Sequence, residues 1–332
     1  MARPSGTGTS GPTGTGPAPT AHAAGSETPS ILDSRLSDER SAEELALIRT
    51  GYEAADGRPV TLRANTLKTN VDEVTGSLDA AGIAFERVPW YRDALVLRGV
   101  RERAIWDLPL YREGKVYLQS LSSMLPPLVL GPRSGADILD MCAAPGGKTC
   151  QMAALTRGTA HITACEMNGA RADKLEHNLA MQGAGGVSVM RTDARRLDTF
   201  FSFDQILVDA PCTGSGTLRA GDARGAARIT EKLLSRTTRS QAALLDRALT
   251  VLKRGGTLVY STCSILVEEN EVQIERALGR HRDCELVPLE QIGGIDPTDP
   301  PFRTLSTRME GTLTICPDEL FEGFFIARLR KK

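Results

Sequence analysis

The sequence predicts an α/β fold, a mostly parallel seven-stranded sheet with helices on its faces, preceded by a small α+β domain. Three observations predict it. Residues 136–142, 161–166, 187–190, 203–210 and 257–262 are apolar runs of strand length, the form taken by strands buried on both faces of a parallel sheet. Helical patterns at 147–156, 168–182 and 229–252 fill the gaps, and such alternation implies parallel pairing through right-handed crossovers. Two late runs, 313–315 and 323–329, read as a sheet edge finished by a hairpin.

Ahead of this core the chain divides in two. Residues 1–30 are almost entirely Gly, Thr, Pro, Ser and Ala, a composition that cannot bury enough apolar surface to order itself. Residues 31–120 mix a helical stretch at 41–52, an Arg63–Thr69 segment, a helix over 71–81 and a strand at 94–97. They form the small α+β domain, and 121–332 form the main one.

Composition narrows the function. A chain of 332 residues, 41% hydrophobic and 24% charged, is ordinary for a globular protein. No run approaches the roughly 18 apolar residues of a membrane span, and the N-terminus lacks a signal peptide's apolar core, so a cytoplasmic location is expected. Seven cysteines without any C-x-x-C spacing fit neither a disulfide framework nor a metal knuckle. The net charge is −1, but nine basic residues between Arg219 and Arg254 face three acids. Such a stretch is either a solvated helix face or a surface for a polyphosphate backbone.

The first strand of the core runs into Asp140-Met141-Cys142-Ala143-Ala144-Pro145-Gly146-Gly147-Lys148-Thr149, a small-residue turn opening a helix. Such a turn lets backbone amides approach a ligand at a helix N-terminus. Cys142 stands where a Walker loop needs glycine, and no G-x-G-x-x-G is present. A nucleoside-type ligand remains: Glu166, closing the second strand, suits ribose hydroxyls, and Asp193, closing the third, suits an adenine amino group. S-adenosylmethionine fits this layout better than NAD.

Two thiols end two further strands. Cys212 lies in Asp209-Ala210-Pro211-Cys212-Thr213-Gly214 and Cys263 in Tyr260-Ser261-Thr262-Cys263-Ser264, at the sheet edge where open α/β folds build their sites. Together with Asp140–Thr149, the Gly255–Ser264 run, Glu268-Glu269-Asn270-Glu271 and Glu322-Gly323-Phe324-Phe325, these motifs resemble the Sun-type RNA cytosine carbon-5 methyltransferases, most of all the bacterial RsmF type.

The resemblance implies a Rossmann-like class I methyltransferase core, an RNA-binding N-terminal domain, S-adenosylmethionine as cofactor and rRNA as substrate, with tRNA second. It implies Cys263 as nucleophile, Cys212 in product release, Asp209 at nitrogen 3 of the base and Lys148 favouring the thiolate. Cofactor contacts would come from Cys142, Ala143, Ala144, Pro145, Gly146, Gly147, Lys148, Glu166, Arg171, Asp193 and Asp209. The chemistry explains two thiols: carbon 5 of cytosine is a weak nucleophile until a thiolate adds at carbon 6, and afterwards the carbon-5 proton must leave. A DNA cytosine methyltransferase would instead use Cys212 as nucleophile, and a catalytically silent RNA-binding assembly factor would use neither.

The bland expectation covers the rest. The thiols of Cys142, Cys150, Cys165, Cys284 and Cys316 are packed, His177 is solvated, and Trp90 and Trp106 belong to the core. No metal is expected, and the protein is expected to be a monomer.

Overall fold

The computed structural model describes residues 30–289, 292–296 and 298–332. Apart from Ser30, the tail expected over 1–30 lies outside the described residues. Ser30 accepts from the Asp33 amide and caps α1 (Ile31–Glu39). Ser41 and Glu44 form a reciprocal capping box at α2 (Ala42–Ala54), satisfying two amides that a helix start otherwise leaves unpaired.

A small antiparallel sheet follows. It contains β1 (Val60–Ala64), β2 (Phe85–Arg87), β3 (Ala94–Leu97) and β4 (Val116–Leu118) in the order β2-β3-β1-β4. The helix α3 (Val71–Ala80) and the short α4 (Glu102–Trp106) and α5 (Pro109–Arg112) cover it, sharing a core of Leu62, Val74, Leu78, Leu95, Leu97, Ile105 and Val116. Leu62 and Ala64 face this core, while Arg63 between them is buried on the opposite face of the sheet.

The large sheet begins after α6 (Leu121–Leu130). Five parallel strands, β5 (Asp137–Asp140), β6 (His161–Cys165), β7 (Val187–Met190), β8 (Phe203–Asp209) and β9 (Leu252–Thr262), are connected by α7 (Gly147–Leu155), α8 (Gly169–Gln182) and, between β8 and β9, α9 (Ala223–Arg228) and α10 (Glu231–Val251). After α11 (Glu271–Arg280) come β10 (Cys284–Val287), β11 (Thr304–Leu305), β12 (Leu313–Ile315) and β13 (Phe324–Lys331), all antiparallel to their partners. The order is β11-β12-β13-β9-β8-β5-β6-β7, with β10 also on β13.

The sheet therefore has nine strands among the described residues, where seven were expected. The two additions, β10 and β11, are short and largely half-exposed, so they carry no apolar run to betray them. The five parallel strands fall within a few residues of their predicted limits, although β9 starts five residues early.

Strand geometry sends successive side chains to opposite faces, and both faces here are dry. Ile138, Leu207, Val259 and Ile326 enter one core with α6 and α7. Their neighbours Leu139, Ile206, Val208, Leu258, Tyr260 and Phe325 enter the other, with Leu244, Leu245, Ala248 and Leu249 of α10. Each fully buried leucine of this kind stabilises the fold by about 2 kcal/mol.

The N-terminal helices join the large sheet. Leu32, Leu36 and Ile48 share a cluster with Ile229, Leu234, Ile265, Leu266, Leu305 and Cys316. The small sheet is tied on by a polar chain: buried Arg63 donates to Gln119 at 3.4 Å, Gln119 to Gln151 at 2.9 Å, and Gln151 to the Met124 carbonyl at 2.8 Å. Trp90 is buried against Phe321, as expected of core. Trp106 is 45% exposed, which corrects the packed reading: it ends α4 with its inward place taken by Ile105. His177 is exposed, as its charged neighbours imply. No described helix is long and apolar enough to cross a membrane.

Two glycines set the closest backbone approach near the sheet's carboxyl edge. Gly323 donates to the Gly216 carbonyl at 2.8 Å, and a Cβ on Gly216 would meet the Gly323 oxygen at 2.0 Å. Backbone cannot step aside as a side-chain tip can. Gly216→Ala is expected to lower stability by about 3 kcal/mol, read as a lower urea midpoint at unchanged slope; a midpoint within error of wild type would refute the constraint.

Candidate active site

Register brings the two thiols together. β8 and β9 run parallel with Asp209 opposite Ser261, so the loops leaving them carry Cys212 and Cys263 off adjacent strand ends. Their sulfurs stand 3.1 Å apart, and both side chains are half-buried. The hydrogen bond to Cys263, then burial, pushes the Cys212 thiol well up, so it rests protonated. Separately, the Cys263 carbonyl accepts from the Gly216 amide at 3.0 Å.

Beside them lies a charged pair. Lys148, on the first turn of α7, reaches Asp209 Oδ2 at 2.7 Å and Ser123 Oγ at 2.8 Å. Asp209 Oδ1 accepts from Ser261 at 2.7 Å. Burial opposes the lysine's charge, but Asp209 outweighs it and holds Lys148 above its usual range. Its ammonium also lies 5.6 Å from the Phe324 ring centre, an added attraction for a cation.

A cleft of about 350 Å³ opens over this pair. Its lining includes Asp140, Cys142, Ala143, Ala144, Pro145, Gly147, Lys148, Asp209 and Cys263, together with Tyr117, Ser123 and Phe324. Gly146 has φ of 110°, a conformation that needs glycine, and no side chain caps α7. The first-turn amides of α7 thus keep their donors for a ligand at this edge.

Not every expected residue converges there. Cys212 stands behind Cys263 and does not line the cleft. Glu166, buried at the end of β6, accepts from the Asn168 amide at 2.8 Å and pairs with Arg171 at 3.1 Å; Arg171 also donates to the Ala144 carbonyl at 2.8 Å. Asp193 is gripped by Arg195 through both oxygens at 2.8 Å. Cys142 is half-buried on the cleft wall, whereas Cys150, Cys165, Cys284 and Cys316 are buried, as packed thiols should be.

Sequence reasoning quoted Glu269 and Asn270 but gave them no role. Both are fully buried. Glu269 accepts from the Thr213 amide at 3.0 Å and its hydroxyl at 2.5 Å, next to Cys212. Asn270 accepts from Thr262 at 2.6 Å and donates to the Ser264 carbonyl at 2.9 Å, on either side of Cys263. Four charged or amide residues in a row after an apolar strand end were the available signal; only burial separates them from a surface turn. Ser123 and Glu322 were likewise unassigned. Glu322 accepts from Ser120 at 2.8 Å and forms part of the cleft wall.

A parallel sheet with an antiparallel strand inserted beside its last parallel one, and a ligand cleft over the first strand–helix turn, defines a Rossmann-like methyltransferase. The profile of the family described as 16S rRNA methyltransferase RsmB/F matches residues 127–330, and an RsmF/B-like ferredoxin-like domain matches residues 53–102. The chain belongs to the RsmB/F methyltransferase family.

Among its relatives, the ribosomal RNA small subunit methyltransferase F of Shewanella loihica is 34% identical over 84% of this chain and 58% of its own length. The human 28S rRNA (cytosine(4447)-C(5))-methyltransferase is 36% identical over 82% of this chain and 34% of its own. The chain thus spans under two thirds of the length of these curated relatives. A methyltransferase homolog protein from Pyrococcus horikoshii superposes with a TM-score of 0.71 at 33% identity, covering 90% of this chain and 98% of that one. NSun6 from the same organism, solved with SFG, gives 0.73 at 25% identity, covering 87% and 94%.

The cleft's most buried acid has a measurable signature. Burial pushes Asp140 up to about 6, against the bond from Thr149 at 2.7 Å that favours its charged form. A carboxyl whose folded value exceeds its unfolded one takes up a proton on folding. The contribution of Asp140 to the stability of the unliganded protein therefore falls as pH rises from about 4 to 6, by on the order of 2 kcal/mol, and is flat above. In Asp140→Asn this slope should vanish, as checked by urea unfolding between pH 4 and 7; an unchanged slope would assign it elsewhere.

Proposed function

We propose that this chain methylates carbon 5 of a cytosine in RNA, ribosomal RNA first and tRNA second, through a covalent adduct between Cys263 and carbon 6. The observation that carries the reading is the sulfur pair: one thiol lines the cleft beside a lysine–carboxylate pair and the other stands 3.1 Å behind it. That asymmetry favours Cys263 as nucleophile over the DNA-methyltransferase arrangement, which needs Cys212 in front. The curated relatives' names, rRNA and cytosine-C5 methyltransferases, support the substrate and the atom.

S-adenosylmethionine, the proposed cofactor, supplies an electrophilic methyl group to carbon 5. The loop from Cys142 to Gly147 and the uncapped start of α7 would hold it, its carboxylate suiting the free amides. Glu166 would accept from its ribose after releasing Arg171, whose side chain is 56% exposed and keeps its bond to the Ala144 carbonyl. Asp193 would share its carboxylate between Arg195 and the adenine amino group, having lone pairs for both.

In this reading Lys148 stabilises the Cys263 thiolate, as nearby cations do, and the thiolate forms the bond to carbon 6. The ring's electrons move toward nitrogen 3, where the Lys148–Asp209 pair supplies a proton. Once Cys263 is bonded to carbon, the contact that most strongly holds Cys212 protonated is gone, while burial and the Glu269 charge still raise it and keep its thiolate a strong base. With carbon 5 methylated, Cys212 loses its proton to water and takes the proton from carbon 5, the carbon 5–carbon 6 double bond re-forms as Cys263 departs as thiolate, and nitrogen 3 returns its proton to the Lys148–Asp209 pair. The second thiol becomes a base when the first has been consumed.

The basic stretch divides by topology. α10 follows β8 through the Cys212 loop and α9, and its first turns pack Leu234 against Ile265 and Leu266, just past Cys263. Lys232, Arg236 and Arg239 are exposed there, opposite the buried face of Leu234, Gln241 and Leu245, and have no ion-pair partner among the described residues. At the other end Lys253 pairs with Asp137 and Asp204 and supports the fold. We assign the free set, with the small N-terminal domain, to the RNA backbone. The enzyme is inferred to act as a monomer in the cytoplasm, where rRNA and tRNA are accessible.

Two tests follow from this mechanism. Cys212→Ala should accumulate a covalent RNA adduct on denaturing gels when S-adenosylmethionine is present, and Cys263→Ala should form none; an adduct that survives loss of Cys263 sinks the assignment. Charge reversal of Lys232, Arg236 and Arg239 together should weaken RNA binding and flatten its dependence on log salt by about 2 to 3. An unchanged slope would move the RNA off α10.

A further inference from the structure

Cys212 sits in a loop fixed from both sides by one buried carboxylate and one buried amide. On the C-terminal side, Glu269 accepts from the Thr213 amide at 3.0 and 3.2 Å through its two oxygens and from the Thr213 hydroxyl at 2.5 Å. On the N-terminal side, Gln241 donates to the Pro211 carbonyl at 3.0 Å. The same amide group donates to Glu269 Oε1 at 3.1 Å, joining the two restraints. Glu269 is itself held, since Tyr260 donates to its backbone carbonyl at 2.6 Å. An uncompensated carboxylate in such a place would be costly; here three donors surround it.

Nothing in this set touches Cys263. That residue's flanks are held by Gly216 and Asn270 instead. Different side chains thus hold the two thiols, although Glu269 and Asn270 are neighbours in the chain and the sulfurs meet.

We propose that Glu269 and Gln241 are positioning residues for Cys212, which keep its sulfur in line to take the carbon-5 proton and so govern resolution of the adduct but not its formation. The inference rests on the reading of Cys212 as the release thiol. It separates two steps that a merely structural role would impair together. A displacement of about 1 Å in such a group can cost about 100-fold in rate, and the cost should fall on release alone.

The test uses the full chain with an RNA substrate and S-adenosylmethionine, comparing Glu269→Ala, Glu269→Gln and Gln241→Leu with Cys212→Ala. Glu269→Ala should lower methyl turnover by about 100-fold while the trapped protein–RNA adduct rises toward the Cys212→Ala level. Glu269→Gln, which still accepts from the Thr213 amide, should recover part of the turnover and trap less. If Glu269→Ala fails to fold, Gln241→Leu leaves the carboxylate in place and should still trap adduct. Folded variants that lose turnover without accumulating adduct, while Cys212→Ala accumulates it, would overturn this proposal alone. Absence of adduct in Cys212→Ala as well would overturn the release reading beneath it.

Discussion

The parallel pairing of β8 with β9 is the constraint on which the rest depends. It fixes Asp209 opposite Ser261, and from that register follow the contact of the two sulfurs and the bond from Ser261 that holds Asp209 against Lys148. A parallel pair needs a long crossover, supplied here by α9 and α10. The crossover does more than connect: its inner face carries Gln241 to the back of the Cys212 loop, and its outer face carries Lys232, Arg236 and Arg239, exposed and without an ion-pair partner among the described residues.

Much of this was legible before any coordinates. β5, β6, β8 and β9 are largely buried, so their apolar runs had no competing reading, and the half-exposed edge strand β7 was marked by its place in the alternation. β10 and β11 escaped because edge strands need few apolar residues. α1 escaped because only Leu32 and Leu36 of its residues are buried, too thin a stripe to read as a helix against α2 and the large sheet.

The site was less legible than the fold, for a reason that particular residues make plain. Glu166 and Asp193 were placed correctly at strand ends, but sequence gave no hint that Arg171 and Arg195, each a few residues on, would claim them. Glu269 reads as a surface acid until its complete burial is known. Carboxylates are ambiguous in a sequence because their meaning lies in the partners that reach them, and spacing marks neither the near ones, Arg171 and Arg195, nor the distant ones, Thr213 and Gln241.

The position of β13 carries a consequence for how the protein comes into being. It is synthesised after every other strand of the sheet, yet it lies between β9 and β12 and brings Glu322 and Phe324 to the cleft. Until it docks, a nascent chain on the ribosome holds β9 with an open edge and a cleft missing one wall. The cleft is therefore whole only when the sheet is closed.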